Sequence, residues 1–325
     1  MTREKPINSI KRNDAGAHKV VMAALVADGV VAAAKLTAAL FSGSAAMLSE
    51  ALHSLADASN QMLLLVGRRL SRKPADAAHS FGYGKERFFW PFVVSIVSFS
   101  VGGIFAIMNG VRQIQSPHVL EYIPLNYVIL VLALAMDGFS LFVAWRELRR
   151  AGVSRVGRRT IAELLKESKS PAVVVAFLLD IGAVIGVGIA VTGLWLSAHT
   201  RLWMIDGMAS VLIGVLLFCV SWAIAVEAKS LLIGESASAE RVKEIREMLI
   251  SAKGVERVSE ILTMHLSPDD ILVNIDVEFS DGLSTGQIEN AIAEMERDIR
   301  KVIPEASKIF IEAKAVVKAV RRLRV

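Results

Sequence analysis

Residues 42–61 read SGSAAMLSEALHSLADASNQ, a run apolar enough to enter a bilayer except that it carries Glu50, His53 and Asp57. At 3.6 residues per helical turn, positions 50, 53 and 57 share one face. Ionisable side chains at membrane depth are costly and rare, so three on one face mark that face as functional and not lipid-facing. Working outward, this stretch is the second of several similar runs.

The chain has 325 residues, 54% of them hydrophobic, too apolar for an ordinary soluble protein of that size. The apolar residues gather in six runs, 19–41, 45–67, 88–111, 124–145, 171–197 and 203–228, each near or above the ~20 residues a helix needs to span hydrocarbon. The predicted class is a membrane α-helical protein: a cytoplasmic N-terminal segment (1–18), a six-helix transmembrane domain (19–234) and a cytoplasmic α+β domain with a basic tail (235–325). The first 19 residues, MTREKPINSIKRNDAGAHK, are polar and basic, and they lack an apolar core followed by a small-residue cleavage site. The first span is therefore expected to act as its own insertion signal.

Basic residues set the orientation. They crowd the N-terminal segment, the connection after the second run (Arg68, Arg69, Arg72, Lys73, Lys85, Arg87) and the connection after the fourth (Arg146 to Lys169), while the alternate connections hold Arg112 and Arg201. The positive-inside rule places both termini in the cytoplasm. The net charge of +5 is uneven, with 15 acidic and 23 basic residues before Glu235 and 17 acidic and 14 basic from there on. The basic excess thus follows topology and anionic lipid, and no nucleic-acid partner is implied. A single cysteine, Cys219, excludes an intrachain disulfide or a multi-thiolate metal site. No nucleophile elbow, phosphate-cradling loop or HExxH pattern occurs, so hydrolase and nucleotide chemistry lack support.

Beyond LLIGESAS the texture becomes that of a soluble domain. SAERVKEIREMLISA and STGQIENAIAEMERDIRKVI have the period of amphipathic helices. GVERVSEILTMHLSPDDILVNIDVEF reads as two strands turning at SPDD, and SKIFIEAKA as a third. The order αββαβ predicts a small sheet with two helices on one face.

Within the spans, His53 and Asp57 lie four apart and supply half of a tetrahedral divalent site, for which zinc is the natural occupant by ligand type. The other half must come from another span. Asp180 in LLDIGAV, Asp137 in AMDGF, Asp206 in WMIDG and Asp28 are the acids on offer, and Asp180 stands most isolated from basic residues. Asp28 and Lys35 also read as an ion pair, with each other or with a neighbouring helix. Asp206 also reads as a cap at a span end, and Glu50 as a solvated group near the helix mouth.

The stretches GSAAMLSEALHSLADASNQ, HSFGYGKERFFWPFVVSIVSFSVGGIFAI and DGMASVLIGVLLFCVSWAIAVEAKSLLIGESAS resemble the cation diffusion facilitator family of divalent-metal efflux transporters, in the branch of zinc transporter nine. The resemblance covers nearly the whole chain. It implies six spans followed by a ferredoxin-like cytoplasmic domain, homodimerisation through that domain, and transport coupled to protons. It assigns the central metal site to His53, Asp57 and Asp180. Two further ligand positions of the family are Ala176 and Leu179 here, so Glu50, Asp137 or water would complete the site. A second family site falls on Asp76 and His79, with Tyr83 in place of its third ligand; a plain turn into the third span is the competing reading. In the cytoplasmic domain, His265 with Asp276, Glu289 and Glu312 stand where relatives carry metal ligands.

The expected activity is export of a divalent cation, zinc by ligand type, by proton antiport with alternating access. The metal is cargo, and no cofactor or enzymatic activity is implied. Metal ligands must shed protons to bind and can be reloaded with them afterwards, so one site serves both ions. The compact loops suggest a bacterial inner membrane. Two rivals are a transport-inactive relative that serves as a scaffold, motivated by Ala176 and Leu179, and an intramembrane aspartyl protease built on Asp137 and Asp180.

Overall fold

A computed structural model describes residues 28–117, 119, 120, 122–151 and 171–314. The N-terminal segment, the start of the first run, the basic residues between 155 and 169 and the tail from 315 lie outside the described residues. Among the described residues, helices occupy all six apolar runs: α1 (28–42), α2 (Ala45–Leu70), α3 (Glu86–Gln115), α4 (Ile123–Ala151), α5 (Pro171–Thr200) and α6 (Met204–Ile233). In α3, α4, α5 and α6, 24 to 30 residues are apolar enough to cross a membrane. This is an integral membrane protein.

Local chemistry explains the breaks. Gly43 adopts φ +68°, and its N–H returns to the Ala39 carbonyl at 3.0 Å, an α-helical stop that a side chain would strain. Ser44 then opens α2, its hydroxyl accepting from the Met47 N–H at 3.1 Å. In α3, Ser98–Ile104 forms a π-helical segment that contains Gly102 and Gly103. α3 and α6 cross closely enough that a Cβ on Gly110 would meet the Gly207 carbonyl oxygen at 2.5 Å, and a Cβ on Gly207 the Gly110 oxygen at 2.7 Å. Ala46, Met47, Leu130, Val187, Leu194, Ile213 and Leu217 from α2, α4, α5 and α6 form one buried cluster.

The chain divides into two compact units, one holding residues up to Leu70 and Phe89–Ala228, the other Ser71–Phe88 with Lys229 onward. In the second unit α7 (Ala239–Ile250), β1 (Val255–Ser267), β2 (Asp270–Phe279), α8 (Thr285–Val302) and β3 (Ala306–Lys314) follow the expected αββαβ order. The sheet runs β1-β2-β3, antiparallel then parallel. Ser238 caps α7, and Ser284 with Gln287 closes a capping box on α8. Ile245, Leu249, Met295 and Ile299 from the helices bury against Ile271, Val273, Ile275 and Val277 of the central strand.

The segment between α2 and α3 belongs to this second unit. Arg87 pairs with Asp269, Lys85 donates to the Leu232 carbonyl at 3.3 Å, and Gly84 lies so near the Leu266 carbonyl that a Cβ would sit 2.7 Å from its oxygen.

Candidate functional site

The buried face of α2 is its polar face. Glu50, His53 and Asn60 are 0–1% exposed, as are Ala46 and Ser49 on the same stripe, while Leu55 and Met62 point outward. A helix built this way places its ionisable groups toward the protein interior and side chains such as Leu55 and Met62 toward lipid. Its start is fixed from α6: Asp206, itself fully buried, accepts from the Ser44 hydroxyl at 2.6 Å and from the backbone N–H groups of Ala45 and Ala46 at 2.5 and 3.3 Å. The cap reading of Asp206 therefore holds, with the capped helix being α2 and not its own. Ser49 and Ser210, 2.7 Å apart, tie α2 to α6 one turn further on.

His53 Nε2 stands 3.4 Å from Asp57 Oδ2, confirming that the two share a face. Neither ring nitrogen of His53 makes a hydrogen bond, and Asp57 Oδ1 is also buried without one. Buried polar atoms are normally bonded, and such a group unmet by a partner is a place to look for an ion. One turn below, Asn60 donates to Ser98 Oγ at 2.7 Å, at the first residue of the π-helical segment, and leaves its own Oδ1 without a hydrogen bond. Sequence reasoning passed over Asn60, although it lies seven residues after His53 and so on the same face. π-Segments inside helices gather at functional sites.

Glu50 is not solvated. It is fully buried, and Lys35 of α1, also 0% exposed, donates to its Oε2 at 3.1 Å, to Ser54 Oγ at 2.9 Å, and lies 3.8 Å from Asp137 Oδ2 on α4. Helical spacing gave Glu50 its face but not its depth, and the solvated reading is corrected on that ground. Lys35 thus takes partners on neighbouring helices, while Asp28 accepts from Gln61 of α2. Glu50 also packs against α5, its Oε1 only 2.5 Å from where a Cβ on Gly186 would stand.

Asp180, the third predicted ligand, sits where α5 meets α4 and accepts from the Ser140 hydroxyl with both oxygens, at 3.0 and 3.1 Å. Leu179, the neighbouring ligand position of the resemblance, packs with Val94, Val175, Val220 and Ile224 in an apolar cluster. Among the described residues, no three His, Cys, Asp or Glu side chains stand close enough together to hold one ion. The structure brings His53 and Asp57 together and leaves Asp180 engaged with Ser140.

In the loop after α2, Asp76 is the organiser of a turn. It accepts from the N–H groups of Ala78 and His79 at 3.0 and 2.7 Å and from the Tyr83 hydroxyl at 2.7 Å, and the His79 and Tyr83 rings lie 4.2 Å apart. The Tyr83 hydrogen bond, with the backbone donors, holds the Asp76 carboxyl below its usual range, and the same bond pushes the Tyr83 phenol up. Gly82 completes the turn at φ +79°. In the sheet, His265 is in register with Ile271, while Asp276 is in register with Glu260 and Glu312. Alternation along a strand therefore puts His265 on the helix-covered face and Asp276 with Glu312 on the other. A cytoplasmic ion site built from His265 and Asp276 of one chain is thus not formed by this sheet.

Comparison with known proteins identifies the family of both units. The profile of the cation efflux transmembrane domain matches residues 21–233, and that of the cation efflux protein cytoplasmic domain matches residues 237–314. The mitochondrial proton-coupled zinc antiporter SLC30A9 of Mus musculus is 31% identical over 264 residues, 81% of this chain and 46% of its own length. Metal tolerance protein C4 of Arabidopsis thaliana is 27% identical over 279 residues, covering 86% and 61%. The manganese efflux system protein MneP of Bacillus subtilis is 23% identical over 300 residues, covering 90% and 94%. The chain spans about half the length of the zinc antiporters it matches.

Proposed function

The chain belongs to the cation efflux family, and from that premise we propose that it exports a divalent metal cation, zinc by preference, in exchange for protons. The metal is held by His53 and Asp57 of α2 and Asp180 of α5. The observation that carries the reading is His53: an imidazole 1% exposed, with no hydrogen bond at either nitrogen and a carboxylate 3.4 Å away. A divalent ion satisfies both groups at once, and imidazole with carboxylate suits zinc-like ions.

Because no three candidate ligands meet at one point among the described residues, the site completes itself when a shift of α5 relative to α2 brings Asp180 toward His53 and Asp57. Such a step fits alternating access, in which the open and closed arrangements of a few helices expose one site to either side. Metal loading then displaces protons from these groups, and protons return to them once the metal leaves. His53 contributes an imidazole that ionises near neutral pH when unperturbed. The chain works as a transporter and not an enzyme, as a homodimer through its cytoplasmic domain, with both termini on the cytoplasmic side of a bacterial inner membrane.

The scaffold reading retains one supporting observation, that Leu179 is committed to an apolar cluster. The aspartyl protease reading has none, since Asp137 lies by Lys35 and Asp180 by Ser140. Zinc uptake and counter-flow of protons in vesicles reconstituted with the chain alone test the proposal. Asp57→Ala and Asp180→Ala each abolish both fluxes; full activity of either variant, or no flux in the unaltered chain, overturns it.

A further inference from the structure

We propose that the Lys35 ammonium is a built-in counter-cation of the transport cavity, one that balances Glu50 and Asp137 while the cavity is empty and weakens metal binding on α2 enough to let the ion leave. The inference rests on the reading of His53, Asp57 and Asp180 as the metal ligands. Lys35 is 0% exposed, yet it reaches carboxylates on two different helices, Glu50 of α2 at 3.1 Å and Asp137 of α4 at 3.8 Å. Its third contact, at 2.9 Å, is Ser54, the residue after His53, which sets the ammonium within one turn of the proposed metal face.

Lys35 is the one buried lysine or arginine among the described residues, in a unit that also holds the half-buried Asp57 and Asp180. Without it, buried Glu50 and half-buried Asp137 would lose the cation that both carboxylates contact. With it, an arriving divalent ion meets a positive charge that cannot diffuse away. In a medium of effective dielectric about 20, a unit positive charge on the order of 8 Å from a divalent ion alone would weaken binding far more than tenfold, and the Glu50 and Asp137 carboxylates beside the ammonium cancel part of that, leaving a penalty of about tenfold. A transporter gains from that penalty, because an ion held too firmly is not released. A purely structural tie between α1, α2 and α4 would predict instead that losing Lys35 loosens the helices and weakens metal binding.

The test measures zinc affinity calorimetrically with zinc chloride and the full-length chain in lipid nanodiscs, alongside zinc turnover in vesicles. Lys35→Gln binds zinc about tenfold more tightly and turns over more slowly at saturating zinc, while Lys35→Arg keeps the affinity of the unaltered chain. Unchanged or weaker binding by Lys35→Gln overturns the proposal. Should that variant not fold, Glu50→Gln is compared with Lys35→Gln/Glu50→Gln: about tenfold tighter binding in the double variant supports the proposal and equal affinities overturn it. Asp57→Ala separates the two readings. If it binds zinc like the unaltered chain, the site assignment itself fails; if it loses zinc while Lys35→Gln is unchanged, the role of Lys35 alone fails.

Discussion

The carboxylate of Asp206 in α6 accepts the Ser44 hydroxyl at 2.6 Å, so the helix carrying the proposed metal face is capped by a side chain 162 residues away. Two backbone N–H groups of α2 depend on the same carboxylate. Asp206→Ala leaves three donors unmet in a buried place and is expected to destabilise the membrane unit by about 2 kcal/mol or more. A lowered thermal midpoint in detergent, with Asp206→Asn in between, checks this; an unchanged midpoint for Asp206→Ala contradicts it.

Gly110 and Gly207 make the α3–α6 crossing possible, each lying against the other's carbonyl oxygen. An alanine at either position must push two backbones apart, because no flexible side chain can yield. Gly110→Ala is expected to cost about 1–3 kcal/mol, as overpacking does in other tightly packed cores. Gly138→Ala, where a Cβ meets nothing within 4 Å, is the matched control. Equal thermal midpoints for the two variants would contradict the close crossing.

How far the sequence carried the reading differs by element. Continuous apolar runs reveal helices because a membrane leaves the backbone no other way to satisfy its hydrogen bonds, and the soluble domain's strands and caps follow from period and capping residues. The π-helical segment in SFSVGGI was not legible, since its glycines read equally as ordinary packing positions. The Lys35–Glu50 pair was out of reach for another reason: spacing assigns a face within one helix, and which helix lies opposite is a tertiary fact. Asn60, in contrast, follows from helical arithmetic and Asp276 from its place between Ile275 and Val277, whereas the face of His265 depends on the bulged register between β1 and β2.

Position 176 is one turn before Asp180, as His53 is one turn before Asp57. Ala176→His therefore creates a second His-x-x-x-Asp on α5. If the two helices share an ion, zinc affinity rises by about tenfold or more, at least the size of effect that supporting groups around metal sites have. Calorimetry with zinc decides; unchanged affinity would mean that this face of α5 does not approach the metal.

The turn at Asp76 gives a pH prediction. Asp76 is held below its usual range, so its contribution is present above that range and is lost only as pH falls through the lowered value. Tyr83 is pushed up, so its donor persists until pH rises through the raised value. Between about pH 4 and 10 the turn is expected to stay intact. Amide protection at Ala78 and His79, corrected for intrinsic exchange, should be constant from pH 5 to 9 and fall in Asp76→Ala. A break near neutral pH in the unaltered chain would contradict this.

Joint coordination of one ion by α2 and α5 is tested by an experimental structure of the chain with zinc bound. A nitrogen of His53 and oxygens of Asp57 and Asp180 are expected each at about 2.0–2.2 Å from a single ion. Zinc seated elsewhere, or bound at His53 with the Asp180 carboxylate out of its coordination shell, would contradict a shared grip.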